Sequence, residues 1–169
     1  MRTADATATG GTTIEADPSV PTVRIVREFD APRELVYRAH VDPELIARWL
    51  GPRSTDMRIE TWDMRTGGEY RYTAVRDGEE IAHFYGSVHR VTENERIVQT
   101  FGFEEAPDAV SLDTLTLSDL PGGRARLEIL SLVHDFAARD AMLASGMERG
   151  MNDGYAKLDA LLAGLRPDA

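Results

Sequence analysis

Histidine is the residue type in this sequence best suited to acid–base or metal chemistry near neutral pH. Four are present, at positions 40, 83, 89 and 134. His83 and His89 share strand parity in the stretch IAHFYGSVHRV, which places them about 20 Å apart at about 3.3 Å per residue. One metal ion cannot bridge that distance, and no carboxylate stands at ligand spacing, so no metal site is predicted. The favoured interpretation of His83 is a partly exposed strand residue, with a general base as the alternative.

Few other side chains are placed to act inside a pocket. Four combine a polar group with a position on a predicted strand: Tyr72, Tyr85, His83 and Arg126. Spacing favours none of them, so no catalytic residue is assigned. The paired carboxylates Glu79–Glu80 and Glu104–Glu105 fall in or beside turns, where a solvated surface is expected. The sequence has no cysteine, no G-x-S-x-G elbow and no phosphate-binding P-loop, which excludes thiol chemistry and those two site types.

Aromatic and methionine side chains form a stronger pattern. Tyr70 and Tyr72 share one face of a predicted strand, and Met147 and Met151 share one face of a predicted helix. Apolar surface with a few hydroxyls is the usual composition of a small-molecule site. The alternative is that these side chains fill the core and leave no cavity. The residues predicted to line the cavity are Trp49, Tyr70, Tyr72, Phe84, Val88, Phe101, Phe103, Leu115, Met147, Gly150, Met151, Gly154 and Tyr155.

Three glycines, Gly146, Gly150 and Gly154, recur at every fourth position of GMERGMNDG. Helical periodicity predicts one helix from a cap at Asp135 to about Leu165, roughly 45 Å long. Each glycine inside it costs about 1 kcal/mol relative to alanine. Because two of the three lie on the apolar face, we expect them to let the helix approach the sheet or to leave space beneath it as the roof of a pocket.

The elements that must position these residues follow from periodicity and turn signals. VPTVRIVREF at 20–29 is rich in β-branched residues and predicts a first strand. Asp30 and Asp42 are candidate caps of two short helices, the second ended by Gly51-Pro52. Six strands joined by tight turns between residues 57 and 133 predict an antiparallel meander.

The predicted fold class is therefore α+β. A curved antiparallel sheet of about seven strands carries two short helices after the first strand and a long C-terminal helix across it. Residues 1–19, rich in Thr, Ala and Gly, are predicted to be a disordered arm. Residues 20–165 are predicted to form the single domain, and residues 166–169 a tail.

Composition limits the classes of partner. The chain has 169 residues and a formal net charge of −10, which argues against nucleic acid and anionic membrane surfaces. No apolar run approaches the length of a membrane span, and the N-terminus lacks the apolar core of a secretory signal. We therefore expect a cytoplasmic protein that binds neither membrane nor nucleic acid, and no cofactor is predicted.

Five stretches carry a family resemblance: REFDAPRELVYRAHVDPELIARWLGP, DMRTGGEYRY, ERIVQTFGFE, DTLTL and RDAMLASGMERGMNDGYAKLDALLAG. Over about residues 22–164 the chain resembles START-like, helix-grip (SRPBCC) proteins. More narrowly, it is similar to bacterial proteins homologous to the C-terminal domain of the activator of the heat-shock-protein-90 ATPase. The resemblance implies a cavity between sheet and long helix that holds an apolar or aromatic small molecule.

The same resemblance leaves the function open, because its members include lipid-transfer proteins, polyketide cyclases and cochaperone domains. The favoured hypothesis is binding of a hydrophobic or aromatic small molecule. One alternative is a cyclase, dehydratase or hydrolase acting in the cavity, which needs a positioned acid or base with a shifted pKa. A second is a cochaperone-like interaction domain, although the chain has no room for the extra N-terminal domain of the eukaryotic activators. Homodimerisation is compatible with the family.

Overall fold

One antiparallel sheet contains every strand in residues 7–9 and 11–166, the residues that the computed structural model describes. The elements are β1 (Thr7–Thr9), β2 (Thr12–Ala16), β3 (Thr22–Phe29), α1 (Arg33–Val41), α2 (Pro43–Trp49), β4 (Asp56–Trp62), β5 (Glu69–Arg76), β6 (Glu79–Thr92), β7 (Arg96–Phe103), β8 (Ser111–Leu120), β9 (Arg124–Leu132), α3 (Phe136–Ala144) and α4 (Met147–Leu165). The strand order is β1-β2-β3-β9-β8-β7-β6-β5-β4. The predicted α+β fold is confirmed, and its seven strands correspond to β3–β9.

The first strands of the sheet come from the segment predicted to be disordered. That prediction is wrong for residues 12–16, which form β2 and pair with β3. Thr12 and Ile14 are 1% and 8% exposed, so this short β-branched stretch buries side chains that its Thr- and Gly-rich surroundings concealed. Residues 1–6 and 10, and residues 167–169 of the predicted tail, lie outside the described residues.

Two of the three predicted helix caps are confirmed. The Asp42 carboxylate accepts from the backbone N–H of Glu44 at 2.9 Å, with Pro43 opening α2. The Asp135 carboxylate accepts from Ala138 at 2.7 Å at the start of α3. The Asp30 prediction is wrong, because α1 begins after Pro32 without a side-chain cap. Asp30 instead accepts from Arg124 of β9 at 2.8 Å.

The C-terminal helical segment is interrupted. The long C-terminal helix exists as α4, but the expectation of one uninterrupted helix from Asp135 is wrong, since α3 ends at Ala144. Gly146 has φ of 85°, a left-handed conformation that glycine adopts without steric cost. The Ser145 hydroxyl donates to the carbonyl of Met142 at 2.6 Å and satisfies one of the last free carbonyls of α3. Gly146 therefore marks a helix break.

Buried apolar side chains form three groups on the inner face of the sheet, the face that carries the helices. The largest includes Phe29 and Leu158 and joins α1, α2 and α4 to β3, β8 and β9. The second surrounds Val23 and is covered by side chains of α3 and the start of α4. The third surrounds Tyr70 and Val88 and is packed by side chains of β4–β7 and the end of α2. This third group carries five of the thirteen residues expected to contact a ligand: Tyr70, Tyr72, Phe84, Val88 and Phe101.

Candidate functional site

Aromatic side chains from four neighbouring strands meet on the inner face of the sheet. We call this set the aromatic row: Trp62 of β4, Tyr70 and Tyr72 of β5, Phe84 of β6, and Phe101 and Phe103 of β7. The ring centroids of Tyr72 and Phe84 are 4.9 Å apart, and those of Phe84 and Phe101 are 5.6 Å apart. Both pairs are stacked, at separations where aromatic rings attract one another. Every predicted lining residue on β5–β7 therefore lies in or beside one cluster.

The aromatic row is accessible from one side. Tyr70 and Tyr72 are buried, whereas Trp62, Phe84 and Phe101 are half-buried. The Tyr70 hydroxyl donates to the backbone carbonyl of Thr100 at 2.5 Å, and the Trp62 indole donates to the carbonyl of His40 at 3.0 Å. These bonds fix the rings at the start of the row, and the half-buried Phe84 and Phe101 rings keep some exposed surface that a small molecule can contact.

A line of polar side chains crosses the same face in strand register. Gln99 of β7 lies opposite Asp113 of β8, and Asp113 lies opposite Ser131 of β9. Val88 of β6 and Val23 of β3 continue the line on either side. We call four residues the polar row: Gln99, Ser111, Asp113 and Ser131. Ser111 is included because it is two residues from Asp113 on the same strand. Sequence reasoning missed all four residues, although Asp113 shares strand parity with Leu115 and Leu117.

Asp113 is the titratable group at the centre of the polar row. The Ser111 hydroxyl donates to its carboxylate at 2.9 Å, and Ser131 lies directly opposite it on β9. Burial raises the pKa of Asp113, and the nearby serine hydroxyls offset that effect only in part. A carboxyl group with a raised pKa is what acid–base catalysis in a cavity requires. The structure thus supplies a residue for the enzyme alternative that the sequence left unassigned.

Asp113 influences three buried tyrosines of the sheet and the C-terminal helix. Burial raises the pKa of Tyr70, Tyr72 and Tyr155, and the negative charge of Asp113 contributes a further increase at each. Tyr70 and Tyr72 lie on β5, whereas Tyr155 lies on α4. The carboxylate therefore acts on tyrosines of both layers, and at Tyr155 the Arg27 guanidinium opposes its effect on the pKa.

The remaining predicted lining residues are packed into the core. The Trp49 ring stacks on Tyr155 with centroids 6.0 Å apart, and its indole donates to the carbonyl of Ala39 at 2.9 Å. Both residues are at most 5% exposed. Leu115 packs against the same group. These three residues join α2, α4 and β8, so here the alternative of a filled core describes the structure.

The glycines of α4 face the end of α2. A Cβ at Gly154 would lie 3.1 Å from the backbone oxygen of Trp49, and one at Gly150 would lie 3.6 Å from Pro52. At these glycines α4 therefore approaches the segment after α2. The expectation that Gly154 forms the roof of an open space is wrong. Met147 and Met151 pack against the group around Val23, next to the polar row.

Two pockets in the described residues lie away from the aromatic and polar rows. A pocket of about 10 Å³ between α1 and β7–β9 has room for about one water molecule. A groove of about 730 Å³ runs between β2, β3 and the end of α4. Its charged side chains pair with each other, as Arg124 does with Glu28 and Asp30. We place the candidate site at the aromatic and polar rows, because the groove is lined largely by charged groups.

The other catalytic candidates point away from this site. His83 and Tyr85 lie on the outer face of β6, where the Tyr85 ring carries the Arg71 guanidinium at 5.3 Å. Arg126 is half-exposed and lies 3.9 Å from Glu128. Across residues 7–9 and 11–166, no group of three or more His, Cys, Asp or Glu side chains is arranged to hold a metal ion. Of the four candidates, only Tyr72 belongs to the inner face.

His83 is held between two carboxylates, and we expect it to titrate with a pKa of about 8. Its ring nitrogens lie 2.9 Å from Glu80 and 2.7 Å from Glu105, which stabilises the charged ring. Because this pKa lies above the unfolded value of about 6.5, the stabilisation is complete below pH 6.5 and is lost as the pH rises through 8.

NMR titration of the ring C–H resonances measures the pKa of His83. Glu105→Gln should lower the pKa, Glu44→Gln should not, and a wild-type pKa at or below 6.5 would contradict the arrangement.

Comparison with known proteins agrees with the fold. The model of the family described as Activator of Hsp90 ATPase homolog 1-like protein matches residues 30–163. Protein CV1439 from Chromobacterium violaceum is 30% identical, with a TM-score of 0.74 over 88% of this chain and 99% of that one. Protein Ms6760 from Mycobacterium smegmatis is 26% identical, with a TM-score of 0.81 over 90% and 98%. A search of curated proteins gave no match.

A more distant structure shares the fold alone. DynU16, from the dynemicin biosynthetic locus, is 19% identical, with a TM-score of 0.62 over 87% of this chain and 49% of that one.

None of the helices in the described residues has the length and apolarity needed to cross a membrane. The family match covers most of the chain, from the end of β3 through nearly all of α4, and agrees with the START-like resemblance. The chain belongs to the Activator of Hsp90 ATPase homolog 1-like family and has its helix-grip fold.

Proposed function

We propose that the protein binds a hydrophobic, aromatic small molecule on the inner face of β4–β7. The observation that carries this proposal is the aromatic row, with Phe84 and Phe101 stacked, half-buried and facing the helix side of the sheet. Half-buried aromatic rings on the helix side of the sheet offer contact area to another flat ring. Met57 and Met64 pack against the same group, and methionine side chains adapt to the shape of a bound molecule.

The family and fold support the same proposal. The resemblance implies a ligand between sheet and helix, and the aromatic row lies on that side of the sheet. Trp49 and Tyr155, expected as lining, pack against each other instead. The proposed site is therefore displaced from the middle of α4 toward β5–β7 and is bordered by the polar row.

The test is binding of N-phenyl-1-naphthylamine, an apolar aromatic dye whose fluorescence rises on transfer from water. Native mass spectrometry of freshly purified protein supplies an independent search for a retained small molecule. We expect saturable binding by the wild type and at least about tenfold weaker binding by Phe84→Ala, because loss of a stacked ring removes contact area and pair attraction together.

The matched control is Phe136→Ala, since Phe136 is an exposed phenylalanine on α3 that contacts Arg139 rather than the aromatic row. This variant should bind the dye like the wild type. Equal binding by Phe84→Ala and wild type would move the site elsewhere. Absence of both dye binding and a retained molecule in the wild type would reject the proposed function.

A further inference from the structure

The polar row is an unusual choice for the middle of an inner face. Ser111 and Ser131 are 4% and 5% exposed, and the neighbouring Val88 and Val23 are 2% and 0% exposed. Burying polar side chains costs free energy unless their hydrogen bonds are satisfied. Four apolar residues at these positions would extend the core without that cost. The polar side chains there therefore indicate a functional role rather than a structural one.

The hydrogen bonds within the polar row are incomplete. The Ser111 hydroxyl donates to Asp113, and Ser131 lies directly opposite Asp113 on β9. The side-chain oxygen of Gln99 is buried and has no hydrogen-bond partner among the described residues. Gln99 lies directly opposite Asp113 on the neighbouring strand, where Cβ atoms are about 4.5–5.5 Å apart. The Gln99 side chain therefore presents an acceptor oxygen without a donor, on the strand next to the Asp113 carboxylate.

A molecule bound beside the aromatic row can supply the missing donor. Gln99 and Asp113 lie between Phe101, a member of the aromatic row, and the group around Val23 that Met147 and Met151 cover. A flat molecule packed against the exposed parts of Phe84 and Phe101 would reach the polar row at its edge. An unpartnered buried acceptor discriminates strongly against a ligand that cannot donate to it.

We propose that Gln99 and Asp113 bind a hydrogen-bond donor on the ligand, so that the ligand is an aromatic molecule with a hydroxyl or N–H group on its edge. This inference rests on the proposed function and assigns specificity within the same site. Gln99 and Asp113 are the specificity-determining residues, and the aromatic row supplies affinity.

Two probes of the same shape test it: 2-naphthol, which donates a hydrogen bond, and 2-methoxynaphthalene, which cannot. We expect the wild type to bind 2-naphthol at least about tenfold more tightly, the effect of one hydrogen bond to a buried or charged acceptor. Gln99→Met keeps the side-chain length and removes the acceptor, so it should bring the two affinities to within about twofold. Affinity for 2-methoxynaphthalene should stay at or above the wild-type value.

Asp113→Asn is the second variant, and it retains side-chain size. It should reduce the preference for 2-naphthol, and its thermal midpoint should not fall at neutral pH, since burial disfavours the ionised carboxyl. The control is Thr114→Val, which changes a polar residue of β8 on the opposite face and should keep the preference. Circular dichroism confirms folding of each variant.

The outcomes separate the two proposals. If the wild type binds neither these probes nor N-phenyl-1-naphthylamine and retains no small molecule, the proposed function fails and this inference fails with it. If it binds N-phenyl-1-naphthylamine but neither of these probes, the aromatic site stands and the inference is overturned. If the wild type binds both equally, the aromatic site stands and the inference is overturned. Preservation of the 2-naphthol preference in both Gln99→Met and Asp113→Asn would also overturn it.

Discussion

Gly86→Ala should destabilise the protein by about 3 kcal/mol and lower Tm by roughly 10 °C. A Cβ at Gly86 would lie 2.1 Å from the backbone oxygen of Thr100 and 2.5 Å from the Tyr70 ring. A backbone carbonyl in a strand cannot move away without separating β6 from β7. The ring would also leave its position over the glycine, where its hydroxyl donates to Thr100. Thermal and urea unfolding measure the loss, and dye binding should fall because Tyr70 belongs to the aromatic row.

Gly164→Ala is the matched control. Gly164 lies in the last turn of α4, and nothing stands within 4 Å of a Cβ added there. This variant should be neutral or more stable by up to about 1 kcal/mol, the helix propensity difference between glycine and alanine. A stable Gly86→Ala protein with unchanged dye binding would show that β6 and β7 are not held as close together as the structure has them.

Gly154→Leu should cost about 3 kcal/mol or more, the second large effect expected. Gly154 is buried, and a Cβ there would already be 3.1 Å from the Trp49 backbone oxygen and 3.5 Å from the Gly51 nitrogen. The further carbon atoms of leucine have to displace either that backbone or α4 itself, and overpacking of a filled core is destabilising. Chemical unfolding of the variant against the wild type gives the difference directly.

Gly150→Ala serves as the comparison one turn earlier. Its Cβ would meet Pro52 at 3.6 Å, an ordinary contact distance. Alanine also gains about 1 kcal/mol of helix propensity, so we expect a more stable protein with a Tm about 2–4 °C higher. Destabilisation by Gly150→Ala, or tolerance of Gly154→Leu, would mean that α4 does not lie against the end of α2 as described.

The fold could be predicted closely because its signals are local. Alternating apolar residues specify strands whatever they pair with, and the caps at Asp42 and Asp135 act within three residues of themselves. The break at Gly146 escaped prediction because an apolar period of 3.6 continues through it, and glycine is compatible with both a helix and a left-handed turn. The strand at residues 12–16 escaped because its stability comes from pairing with β3, a tertiary contact.

The aromatic half of the site could also be predicted, since strand parity places Tyr72 and Phe84 on the inner face. Parity gives the face of one strand only. It does not show that Trp49 packs against Tyr155 while Phe84 stacks on Phe101. Those partnerships depend on how far each helix slides across the sheet, which is decided by close packing between elements distant in sequence.

The sequence by itself thus determined the element types, the helix-grip class and the inward-facing aromatic residues, because each depends on periodicity within one segment or on family motifs. The tertiary structure alone decided which of those residues fill the core and which remain accessible. It also brought Gln99, Asp113 and Ser131 into one line, through the register of three strands separated by two loops. Register is fixed by the packing of whole faces and by turn geometry, so no single stretch of the chain contains it.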